Sequence, residues 1–205
     1  MGLAPLSAAE KQNITKTIPL AKESTRKIVI LGDSLSAGYG LIPQSGWVNL
    51  LSSRLKQQNK HWTVINASIS GETTSGGLRR LSGLLSQYQP QIVLIELGGN
   101  DGLRGFMPKI TYANLQKMIL MSKNASAQVI LAGIHLPPNY GHIYEKAFYQ
   151  IFVDLSKSYQ VAFIPFILKD VAEYKSLMQS DGIHPKETAQ TIILDNVWKV
   201  LAPLL

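Results

Sequence analysis

From Lys27 onward the chain carries five short apolar runs, at residues 28–31, 63–67, 91–97, 128–134 and 161–166. None alternates strictly between apolar and polar residues, and a run that is apolar on both sides of the backbone suits a strand of a parallel sheet covered by helices on both faces. Between the runs the apolar period changes. Trp47, Leu50, Leu51 and Leu55 recur at helical spacing, as do Leu78, Leu81, Leu84 and Leu85, and a third stripe of Ile192, Ile193, Val197, Val200 and Leu201 closes the chain. Such stripes are the faces that helices turn toward a core. This alternation predicts a three-layer α/β/α sandwich on a five-stranded parallel, flavodoxin-like sheet with right-handed crossovers. Ligands of such folds sit beyond the carboxyl ends of the strands, so functional residues are expected just after the apolar runs.

Residues 1–26 mix Lys, Thr, Ser and Ala without a sustained period and read as an irregular N-terminal lead-in, leaving 27–205 as one domain. A chain of 205 residues fits a single core. With 45% hydrophobic and 16% charged residues, it does not have the composition of a disordered protein. The net charge of +7 is read as solvated Lys/Arg surplus, attraction to anionic lipid head groups being the sharper alternative. There are no cysteines, which excludes disulfides, thiol nucleophiles and thiolate metal sites. No apolar run approaches the roughly 20 residues of a membrane-spanning helix. The N-terminus also lacks the basic-then-apolar layout of a signal peptide, so the expected location is either cytoplasmic or, with a leader already removed, periplasmic or secreted.

The chemistry concentrates after the predicted strands. The first run leads into Gly32-Asp33-Ser34-Leu35-Ser36, with a helical pattern beginning a few residues later. That places the Ser34 hydroxyl where the sheet opens, as a candidate nucleophile; on its own the pentapeptide reads more readily as an ordinary turn. A serine needs a base to take its proton. Of His61, His135, His142 and His184, the last stands out, because Asp181 precedes it by three residues in Asp181-Gly182-Ile183-His184-Pro185. One tight turn would let the carboxylate hold Nδ1 and leave Nε2 for the serine proton. His61 reads as surface structure. His135 and His142 bracket a loop near the site mouth, where a solvated position is favoured over a wall position.

Acyl transfer also needs donors aimed at the tetrahedral oxyanion. Gly71, in Ser68-Ile69-Ser70-Gly71-Glu72-Thr73, and Asn100, in Gly98-Gly99-Asn100-Asp101-Gly102, lie in the loops after the second and third runs; each segment is also a plausible simple turn.

These four blocks, in this order on this alternation of elements, resemble the SGNH (GDSL) hydrolase superfamily from about Lys27 through the C-terminal helix. The blocks around Asn100 and Pro138-Asn139-Tyr140-Gly141 are similar to its bacterial acyl-thioesterase, lysophospholipase and arylesterase subgroup. The resemblance implies Ser34, Asp181 and His184 as catalytic residues. It implies the backbone N–H groups of Ser34 and Gly71 and the Asn100 amide as the oxyanion hole, and Leu103, Pro138, Tyr140 and Ile183 along the acyl chain. Asp33 and Asp101 are expected to be structural, bonding within their loops. The implied activity is ester and thioester hydrolysis through an acyl-enzyme, with no metal or organic cofactor. The expected partner is a small-molecule or lipid acyl ester, with no nucleic acid, no stable membrane insertion and a monomeric state. The subgroup's export to the periplasm favours the removed-leader location. A carbohydrate acetylesterase and a catalytically silent lipid- or glycan-binding module are the alternatives; the glycines at 32, 38 and 40 do not form a dinucleotide fingerprint, and no paired-histidine helix motif exists.

Overall fold

The computed structural model describes residues 1–2 and 25–205; most of the lead-in assigned to 1–26 lies outside the described residues. Five parallel strands, β1 (Arg26–Gly32), β2 (Trp62–Asn66), β3 (Ile92–Glu96), β4 (Gln128–Ala132) and β5 (Ala162–Ile164), stand in the order β2-β1-β3-β4-β5. In register, Ile28 of β1 lies between Val64 of β2 and Ile92 of β3. The expected α/β sandwich with its flavodoxin-like strand order is the architecture found.

The alternation of side chains along each strand sorts the core into two layers. Ile28, Ile30, Ile92, Leu94, Ile130 and Ile164 face α2 (Trp47–Gln57) and α7 (Gln190–Leu201). Leu31, Val93, Ile95, Val129 and Leu131 face α3 (Thr74–Tyr88), α5 (Pro108–Asn124) and α6 (His142–Tyr159). Two short helices, α1 (Ser34–Ala37) and α4 (Gly99–Leu103), follow β1 and β3 directly.

The apolar runs extend past the strands at their carboxyl ends. Ile134 lies beyond β4 and Phe166 beyond β5, both lining the cavity described below, so their hydrophobicity belongs to the cavity wall and not to the sheet. After β1 the chain goes to one side of the sheet for β2 and to the other for β3. The crevice of such a sheet opens at this reversal, above the ends of β1 and β3.

Candidate active site

β1 ends at Gly32 because nothing larger passes: a Cβ there would stand 2.8 Å from Glu96 Oε2 and from the Ser36 side chain. Asp33 then caps α1, its Oδ1 accepting from the Leu35 N–H at 3.1 Å. Ser34 is therefore the first residue of a short helix. The sequence pattern places the helix a few residues later, since four residues are too few to show a period.

The long segment after β5 brings in the other two members. Asp181 Oδ1 accepts from the backbone N–H of Ile183 at 2.9 Å and of His184 at 3.0 Å, an Asx-type turn that folds residues 181–184 on themselves. Asp181 Oδ2 lies 2.7 Å from His184 Nδ1, and His184 Nε2 lies 2.8 Å from Ser34 Oγ. Partial burial pushes the Asp181 carboxyl up, but the bonds from the His184 backbone and ring and from Ile183 outweigh it and hold the pKa at about 2.

Gln179 joins the serine and histidine loops. Its Nε2 donates to the carbonyls of Tyr39 at 2.9 Å and Pro185 at 3.1 Å, and its own N–H donates to the His184 carbonyl at 2.7 Å. The Tyr39 ring leans on the imidazole, with 4.5 Å between centroids.

The strand order β2-β1-β3 sets the loops holding Gly71 and Asn100 on either side of Ser34. Gly71 has a φ of 76°, a conformation that favours glycine, and its carbonyl accepts from Arg104 at 3.1 Å. Asn100 Nδ2 donates to Asp33 Oδ2 at 3.1 Å. A carboxylate oxygen only accepts, so this bond settles which end of the Asn100 amide is nitrogen, and the second Nδ2 hydrogen has no partner among the described residues. Asp101 accepts from the Thr74 backbone and hydroxyl and from Thr111. Both aspartates thus bond across loops, where the sequence reading has each confined to its own; contacts between segments 27 or more residues apart leave no local signal.

Beneath the serine turn, Glu96 is fully buried. Its Oε2 lies 2.7 Å from Ser36 Oγ and 3.4 Å from the Asp33 N–H, and its Oε1 has no partner among the described residues. Burial, and then the Asp33 charge, push its pKa well above the usual carboxylate range. Burial also lifts Asp33 to about 6, against the bonds from Leu35 and Asn100 and the nearby His184 charge.

A cavity of about 740 Å³ opens over Ser34, Asn100 and His184 with a mostly apolar wall. Leu103, Pro138 and Ile183 line it. Tyr140 does not; it stands behind the wall, its hydroxyl donating to the Leu103 carbonyl at 2.9 Å. His135 lines the cavity, while His61 and His142 do not. Tyr39, Gln179 and Glu96 have no motif around them, and sequence reading missed all three. Among the described residues, no three His, Asp or Glu side chains cluster as metal ligands and no helix is long and apolar enough to cross a membrane.

Residues 30–192 match the model of the GDSL-like lipase/acylhydrolase family. The chain is 47% identical over 177 residues to an arylesterase of Vibrio mimicus, covering 86% of this chain and 88% of the relative. It is 46% identical over 178 residues to thioesterase 1/protease 1/lysophospholipase L1 of Escherichia coli K12, covering 87% and 84%. The crystal structure of a protein named TesA superposes with a TM-score of 0.86 at 46% identity, over 88% of this chain and 100% of that one.

Proposed function

The chain belongs to the GDSL-like lipase/acylhydrolase family, and from that premise we propose that Ser34 is its nucleophile, His184 its base and Asp181 the group that orients the base. The protein is a carboxylic ester hydrolase acting on small esters and thioesters. The observation that carries the assignment is the 2.8 Å approach of His184 Nε2 to Ser34 Oγ across 150 positions of chain, with Asp181 on the other ring nitrogen.

Ser34 Oγ attacks the ester or thioester carbonyl as its proton passes to His184 Nε2. The ionised Asp181 stabilises the imidazolium. Negative charge gathering on the carbonyl oxygen is met by the N–H groups of Ser34 and Gly71 and by the free hydrogen of Asn100. Collapse expels the alcohol or thiol, which takes the proton from Nε2 and leaves an acyl-serine. Water then repeats the sequence with the same base, releasing the carboxylic acid and restoring Ser34.

The cavity volume is within the roughly 300–1,000 Å³ of small-molecule sites, and its apolar wall supports an acyl chain longer than acetate. Ser34→Ala is expected to reduce turnover of p-nitrophenyl esters, from acetate to palmitate, by about 10³-fold or more with an unchanged circular dichroism spectrum. Near wild-type turnover by that variant would overturn the assignment. A monomeric, exported enzyme completes the reading, on the family resemblance; light scattering and cell fractionation test these two points.

A further inference from the structure

His135 has no part in the reaction above, yet it stands in the wall of the same cavity. Three elements fix its ring. It follows β4; its Nδ1 lies 2.6 Å from Glu145 Oε1 on α6; and its face stacks on Tyr149 of α6, 4.0 Å between centroids, while Phe166 beyond β5 meets it edge-on. Nε2 has no hydrogen-bond partner in the protein among the described residues.

A carboxylate only accepts, so the hydrogen in the Glu145 bond belongs to Nδ1, and Nε2 of the neutral ring carries a lone pair. Asp181 and His184 are wired the same way, but there the lone pair faces the Ser34 hydroxyl. At His135 no hydroxyl of the described residues fills that place. The strand order puts the β4 exit two strand spacings, about 10 Å, from the β1 exit that carries Ser34. The wall contains Leu103, Ile134, Leu136 and Pro138, so a substrate reaching His135 presents an apolar stretch first. The His135 side chain is 40% exposed, so a hydroxyl arriving there exchanges a water for Nε2, and the gain comes from an acceptor already fixed in place by Glu145 and Tyr149.

We propose that His135 Nε2 accepts a hydrogen bond from the substrate, and that the enzyme favours esters in which an apolar chain bears a hydroxyl remote from the carbonyl. The inference rests on the hydrolase reading, with the cavity as the substrate site. The hydroxyl can belong to the acyl chain or to the alcohol, and the two are separable by experiment.

The test measures kcat/KM of the full chain on p-nitrophenyl hexanoate, octanoate and decanoate and on their ω-hydroxy and ω-methoxy forms. A second series uses acetates of alkanols and of the matching alkanediols. Each enzyme is scored by its own ratio of hydroxylated to plain ester, so a general loss of rate cancels. In at least one series the ratio is expected to be about fivefold to tenfold higher in wild type than in His135→Phe, which keeps the ring stack and removes both nitrogens. Preference in the acyl series alone assigns the hydroxyl to the acid, and in the diol series alone to the alcohol. The methoxy esters accept but cannot donate, so wild type is expected to prefer hydroxy over methoxy by about the same factor, a comparison that needs no variant. Ratios equal within about twofold in both enzymes, with no hydroxy-over-methoxy preference, overturn the proposal. Should wild type still cleave the plain esters and Ser34→Ala not, the hydrolase reading stands while this one falls.

Discussion

Two aspartates stand around Ser34, Asp33 beside it in the chain and Asp181 behind His184, and their carboxyls move in opposite directions. Asp181 lies at the surface, its side chain 38% exposed, and receives three hydrogen bonds from residues within its own tight turn; its pKa is about 2. Asp33 is 3% exposed and receives bonds from Leu35 and Asn100, yet its pKa rises to about 6. Donors govern the outer group and desolvation the inner one. The outer carboxylate therefore stays ionised at any pH where the base works. The inner one contributes geometry, holding Asn100, the proposed oxyanion donor, at a cost in stability.

The largest effect is expected where the outer group is altered. In Asp181→Asn the new amide nitrogen can donate to Nδ1 and place the ring hydrogen on Nε2, where it blocks acceptance of the serine proton. A loss of about 10³- to 10⁴-fold in kcat is expected on p-nitrophenyl octanoate. A loss under about tenfold would remove Asp181 from its proposed role.

Asp33→Asn sharpens the comparison, because rate and stability should part. Without a carboxylate opposite it, the Asn100 amide is free to flip and present oxygen to the oxyanion, so kcat is expected to fall by about 10²-fold. Stability should move the other way. A carboxyl whose folded pKa is raised binds more protons folded than unfolded, so wild type loses stability as pH climbs from 3.8 to about 6 and remains penalised above that. At ~1.4 kcal/mol per pH unit the penalty is at most about 3 kcal/mol. Thermal melts from pH 4 to pH 8 should show the variant losing less stability than wild type over that interval. Parallel curves would mean that Asp33 is not strained by burial.

The outer half of this comparison was legible in the sequence and the inner half was not. Asp181 and His184 lie three residues apart, within one turn, so their spacing suggests the pair, and the resemblance of the four blocks selects it over an ordinary Asp-Gly turn. Ser34 and Asn100 could be placed because each closely follows an apolar run, and strand order does the rest. The bond between Asp33 and Asn100 spans 67 positions, and Gln179 reaches 140 positions to Tyr39. Neither is implied by periodicity. The family resemblance puts Tyr140 along the acyl chain, but its side chain turns back to the Leu103 carbonyl. Loop membership fixes neighbourhood, and only packing fixes direction. Glu96 was absorbed into an apolar run, where a lone carboxyl looks like an interruption of the strand.

Glu96 carries the smallest expected effect and the finest test of the inner half. Burial, and then the Asp33 charge, shift Glu96 toward its protonated form, and its contact with Ser36 is one that a carboxylic acid and a carboxamide can both make. Glu96→Gln should therefore keep kcat within about threefold of wild type, since glutamine reproduces the uncharged form that burial favours. The difference belongs to higher pH. Glu96 is another carboxyl that binds its proton more tightly folded than unfolded, so its contribution to stability declines as pH rises from 4.5 to its folded pKa. The glutamine variant is free of that decline and should overtake wild type in thermal stability as the solution is made alkaline. Because the Asp33 charge helps to raise Glu96, the advantage should shrink when the two substitutions are combined. A large rate loss in Glu96→Gln at neutral pH, with no alkaline crossover in stability, would show instead that Glu96 is ionised beneath the serine turn, and that the division between a charged outer and a geometric inner carboxyl is drawn in the wrong place.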